Sequence, residues 1–145
     1  MRKHRIILLL NIIIPLIFGL VIYLLLKPNT YISELIYSLF NIRFDYYISN
    51  KGIIRIFIYN YLCDILWAYA LTFTVYYFVN SFTHKYLLTL FITNMFCVLI
   101  ELLQYFGIVS GTFDIFDILL ECVSSALALM YILFLFHGGK ENENH

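Results

Sequence analysis

Residues Glu101 to Glu121 read ELLQYFGIVSGTFDIFDILLE, four carboxylates and a glutamine around a short turn between two otherwise apolar stretches. Each flanking stretch is long enough, at ~1.5 Å of rise per helical residue, to cross ~30 Å of hydrocarbon. The segment therefore predicts two membrane-crossing helices joined by a tight turn. Charge this close to hydrocarbon is expensive, so its acids must face a bundle interior or the membrane interface. That makes the stretch the first place to look for a functional site.

Working outward, the composition agrees with a membrane setting. The 145 residues are 63% hydrophobic, 19% aromatic and 12% charged, with a mean hydropathy of +0.88. A soluble domain of this size has too little interior to hide that much apolar surface. Nine basic and nine acidic side chains cancel, and no basic face runs along any segment, which argues against a nucleic-acid partner. Cys63, Cys97 and Cys122 each sit within an apolar run, a pattern of small buried hydrophobes rather than of disulfides or a zinc site. No cofactor is expected.

The expected fold class is all-α, an integral membrane protein forming one transmembrane domain over residues 1–145. About four spans are predicted, at 6–26, 59–79, 86–106 and 114–136, with an amphipathic interfacial or outer segment at 28–58. The first span follows Met-Arg-Lys-His-Arg and contains Pro15, a potential kink. It is too long for a signal-peptide core, and no A-x-A pattern follows, so it is read as uncleaved. Ile32, Leu35, Ile36, Leu39 and Phe40 recur at helical spacing after the potential caps Asn29 and Thr30, which suits a helix lying on the membrane. Gly107 and Gly111 bracket the turn after the third span, and Gly138-Gly139 stop the fourth. The tight basic cluster beside the first span places both termini in the cytoplasm by the positive-inside rule, against Lys27, Arg43, Lys51 and Arg55 on the other side.

An up-down bundle of these spans brings the start of the second, the end of the third and the start of the fourth to one membrane face. Asp114, Asp117, Glu121, Ser124 and Ala128 are spaced three, four, three, four along one stripe of the fourth helix. Asn94, Cys97, Glu101 and Gln104 follow the same alternation on the third, and Asn60, Asp64, Trp67 and Thr74 share a side of the second. Asp64, Glu101, Gln104, Asp114, Asp117 and Glu121 are therefore expected to line a polar pocket. Capping of the helix N-terminus explains Asp114 and Asp117 as well as function does. Asn94 and Gln104 fit interhelical hydrogen bonding better than ligand contact. Glu101 and Glu121 lie deeper, about 9 and 15 Å of helix from Gly107 and Gly111, where a functional role is preferred. Two acids in low dielectric do not both stay ionised alone. Either one carries a proton at neutral pH, or Arg43 or Arg55 folds over the cluster. A magnesium or calcium ion bridging Asp64, Glu101, Asp117 and Glu121 is a further possibility.

Asp64, then Glu101-Leu-Leu-Gln104, then Thr-Phe-Asp114-Ile-Phe-Asp117 resemble, in order and rough spacing, the VanZ-like family of small bacterial membrane proteins. That family shows an acid opening one helix, an E-x-x-Q pair closing a later one, and an aspartate opening the last. The resemblance covers about the C-terminal sixty percent of the chain. Glu121 stands where members commonly carry asparagine, Ser124, Ser125 and Ala128 stand in the small-residue region, and Ile-Leu-Trp67 follows the first acid in place of a common histidine and lysine. The resemblance implies a protein of the bacterial cell membrane linked to lowered susceptibility to glycopeptide and lipopeptide antibiotics. It would act through binding of a lipid-linked or antibiotic headgroup in the outward-facing acidic pocket. A membrane enzyme using Glu101 or Glu121 as general acid on a lipid headgroup is the alternative, although GxGD, HExxH and GxSxG are all missing. A small proton- or cation-coupled carrier is the third reading.

Overall fold

A computed structural model describes residues 2–26, 35, 38, 39, 41, 57–109 and 111–137. Four long helices account for most of them: α1 (Arg2–Leu26), α2 (Cys63–Val79), α3 (Lys85–Tyr105) and α4 (Ile115–His137). A π-helical turn, Ile58–Leu62, leads directly into α2. All four elements are long and apolar enough to cross a membrane, over Arg5–Leu24, Asn60–Val79, Lys85–Tyr105 and Ile115–Phe136. The chain is an all-helical membrane protein, and its spans fall within about two residues of those read from the sequence. Most of the expected outer segment, 28–58, lies outside the described residues.

Helix α2 is the centre of the bundle, packing against α1, α3 and α4, while α3 also packs on α4. Helix α1 runs antiparallel along the outer side of α2. The Cys63 thiol approaches the Gly19 carbonyl at 3.7 Å, and one helical stretch away the Tyr69 hydroxyl donates to Asn11 Oδ1 at 2.8 Å. The Asn11 amide in turn donates to the Ile7 carbonyl at 2.9 Å, so the one amide side chain in the first span is tied at both ends. Pro15 lies inside α1 without ending it.

Association of helices in lipid gains little from hiding apolar surface, because lipid tails are as apolar as leucine; close packing and hydrogen bonds do the work instead. The buried faces show this. On α3 they are Thr89, Thr93, Cys97 and Glu101, each one turn apart, and no aliphatic side chain is among them. On α4, Glu121, Ser124, Ser125 and Ala128 are buried, while Phe134, Leu127 and Met130 point outward. The larger apolar core sits at the other end of the bundle, where Leu8, Phe73, Tyr76, Ala128 and Ile132 meet. Lys85 closes that end, donating to Asn80 Oδ1 at 3.0 Å with its ammonium 5.7 Å from the Tyr76 ring centroid and 5.3 Å from that of Tyr86. The long stem thus carries the charge to the interface.

Candidate functional site

The turn between α3 and α4 is built by a specific set of backbone bonds. Gly107 adopts φ +67°, and the amides of Gly107 and Ile108 donate to the carbonyls of Gln104 (2.9 Å) and Leu103 (2.9 Å). This is a Schellman ending with its left-handed residue supplied by glycine. Gly111 has φ +151° and lies under Gln104: a Cβ there would sit 2.6 Å from Gln104 Cδ. Gln104 therefore packs on the turn.

The far side of the turn begins α4. Asp114 Oδ1 accepts the Phe116 amide at 2.9 Å, which is the N-cap bond expected of an aspartate immediately before a helix. In a capping box the residue three positions on would reach back to the cap's own amide. Here that position is Asp117, yet the Asp114 amide donates to Glu101 Oε2 at 3.1 Å. An acid of the neighbouring helix thus does the work of the box, and Glu101, only 5% exposed, joins the end of α3 to the start of α4. The Tyr61 hydroxyl, from the π-turn, hydrogen-bonds the Asp114 carboxylate and brings the entry of α2 to the same point. π-Turns within helices often occur at functional sites.

Below this layer stands Glu121, also 5% exposed. The Cys97 thiol is hydrogen-bonded to its carboxylate, and Asp64, Glu101 and Asp117 all act on it electrostatically. Its Oε2 is buried and has no hydrogen-bond partner. One turn deeper, two serines shut the site off from the bundle interior. Ser124 donates to the Ile65 carbonyl at 2.7 Å, and Ser125 Oγ is 2.8 Å from Asn94 Oδ1 and 2.9 Å from the Cys122 carbonyl.

Of the six side chains expected to form a pocket, Asp64, Glu101 and Asp117 act electrostatically on Glu121, Asp114 caps α4 and is bonded through its amide to Glu101, and Gln104 covers the turn. The stripe proposed for the second helix is only partly realised. Asn60 is exposed, Thr74 bonds the Ala70 carbonyl of its own helix at 2.9 Å, and Trp67 turns toward α1. The π-turn is the physical reason at the Asn60 end, since it changes the angular spacing that the stripe assumed. One participant, Tyr61, was not singled out in the sequence. Cys97, read as a small buried hydrophobe, already stood on the predicted stripe with Glu101. Among the described residues no three of His, Cys, Asp and Glu are grouped so as to hold a metal ion, so the arrangement lends no support to a cation bridging Asp64, Glu101, Asp117 and Glu121.

A second feature adjoins the acids. A groove of about 260 Å³ between α1 and α2 is lined by Pro15, Leu16, Gly19, Leu20, Tyr23, Cys63, Leu66 and Trp67, with Asp64 as the acid of its lining. The described bases Arg5, His84 and Lys85 belong to the opposite end of the bundle, at the N-termini of α1 and α3. Comparison with known proteins found no matching family model, curated protein or solved structure.

Proposed function

We propose that this chain is a VanZ-like multi-pass protein of the bacterial cell membrane, with both termini cytoplasmic, that lowers susceptibility to glycopeptide or lipopeptide antibiotics. Its acidic end would face outward and bind the polar headgroup of a lipid-linked or antibiotic molecule. The observation that carries this reading is the convergence of three helices on Glu101, Asp114 and Glu121. The E-x-x-Q pair and the following aspartate that carry the resemblance are joined by the Glu101 to Asp114 bond. Buried acids held by neighbouring helices are costly and are kept where they serve a purpose.

The test is to produce the protein in a susceptible Gram-positive host. Tolerance to a lipid-bearing glycopeptide should rise more than tolerance to an unrelated antibiotic, and Glu101→Gln should remove the effect. Unchanged susceptibility with verified membrane insertion would reject the reading.

The unpartnered Oε2 of Glu121 favours a second reading, a small proton- or cation-coupled carrier, because intramembrane carboxylates are the usual proton relays. A proton or cation flux in proteoliposomes, absent in Glu121→Gln, would support it over the first.

A further inference from the structure

The groove between α1 and α2 and the acidic cluster share one residue, Asp64. It lines the groove, and its charge acts on Glu121. Glu121 itself is 5% exposed with a carboxylate oxygen that no donor reaches. A buried acceptor of this kind calls for a cationic or proton-donating group. The grouping of acids does not suit a metal ion among the described residues. An ammonium group is less demanding, because it needs only a few acceptors at ordinary hydrogen-bond distances.

The groove says what carries that ammonium. It runs along α1 from Tyr23 to Pro15, about 12 Å of helix, and the Cys63 contact with Gly19 sets Asp64 near its middle, with the stretch to Pro15 and Trp67 beyond it. Its walls are apolar apart from Asp64, the Tyr23 hydroxyl and the Cys63 thiol. Leu16, Leu20 and Trp67 on its rim are exposed, so in a membrane it opens sideways toward lipid. At about 260 Å³ it lies below the ~300–1,000 Å³ that encloses drug-sized ligands. It suits a chain segment and a small headgroup, and is too small for a glycopeptide. Tyr23 and Trp67 also offer aromatic rings to a cation.

We propose that this groove seats one acyl chain of an amine-bearing membrane lipid, whose ammonium group lies at Asp64 in front of the acidic cluster. The proposal rests on the reading of the acidic end as a headgroup site and names the class of headgroup. A primary ammonium donates hydrogen bonds to carboxylates, a choline headgroup has no N–H to donate, and an anionic glycerol headgroup is repelled.

Trp67 is the only tryptophan of the chain and is 36% exposed on the groove, so its fluorescence reports occupancy directly. The full chain is reconstituted in vesicles containing brominated-chain phosphatidylethanolamine, phosphatidylcholine or phosphatidylglycerol. Half-quenching should need about fivefold less of the ethanolamine lipid than of the choline lipid, as about 1 kcal/mol of ion pairing gives, with the glycerol lipid weakest. Asp64→Asn and Glu121→Gln should each reduce that preference, and Gly19→Leu, which fills the groove, should reduce quenching by all three. Should Asp64→Asn fail to fold, the other two variants decide. Equal quenching by the three lipids, or a preference that survives both acid substitutions, would overturn the proposal. So would absence of quenching by any of them, which would mean that another segment or a second copy covers the groove. Free ethanolamine that competes at the same concentration as the lipid would overturn the membrane source. Antibiotic tolerance without lipid preference would defeat only this inference, whereas lipid preference without tolerance would defeat only the functional reading.

Discussion

Glu101 Oε2 accepts the backbone amide of Asp114 at 3.1 Å, so a side chain on α3 caps the helix that follows it. This couples a charge to the geometry of a turn, and the two roles separate by substitution. Glu101→Gln keeps an oxygen able to accept the amide, whereas Glu101→Ala leaves a partly buried N–H without its acceptor, at a cost of about 1 kcal/mol. In detergent, Glu101→Ala should lower the midpoint of thermal unfolding clearly and Glu101→Gln only slightly. Both should lose antibiotic tolerance. Equal unfolding midpoints for the two variants would show that the bond contributes nothing to the hairpin.

Gly111 and Gln104 offer a second pair. A Cβ on Gly111 would strike the Gln104 side chain, and φ +151° strains any residue but glycine. Gly111→Ala should destabilise the protein by about 1–2 kcal/mol. Part of that cost should disappear in the Gln104→Ala background, where the clash is gone and only the backbone strain persists. Strict additivity in the double-mutant cycle would argue that the two residues do not touch.

Glu121→Gln keeps size and shape while removing a buried ionisable group with one unpartnered oxygen. Burial of charge without full compensation is unfavourable. The variant should therefore unfold at an equal or higher temperature than the wild type while losing function. A marked fall in stability would show instead that Glu121 holds the helices together through its contact with Cys97.

Ser125 and Asn94 link α4 to α3 at 2.8 Å. Interhelical bonds of this kind in membranes contribute about 0.6 kcal/mol on average, so Ser125→Ala should shift the unfolding midpoint by no more than a few degrees and leave function intact. Loss of function with normal folding would place Ser125 in the site itself.

The proposed orientation is checked with reporter fusions after Lys140 and between Arg43 and Lys51. The two should report opposite sides, with the C-terminal fusion cytoplasmic. An external signal after Lys140 would turn the acidic end toward the cytoplasm and remove the basis for contact with drugs outside the cell.

The sequence by itself determined that the chain is an all-α membrane protein and where each of the four described spans runs, because largely apolar runs of about twenty residues admit few other structures in water or in lipid. It also determined that α3 and α4 bring their acids to the same end, since a short glycine-bracketed turn leaves only an antiparallel hairpin. Three things were decided only by tertiary structure. The partner of Glu101 is a backbone amide thirteen residues away, and backbone donors have no signature in residue identity. The π-turn before α2 alters the angular spacing that any stripe argument takes as constant, which is why Asn60 left the expected cluster and Tyr61 entered it. The groove beside Asp64 exists because α1 lies along α2 at Gly19, and in lipid such pairing is selected by the fit of surfaces rather than by hydrophobicity. A hydrophobic pattern therefore reports the length of each span, and the packing of their small and polar faces decides what the spans enclose.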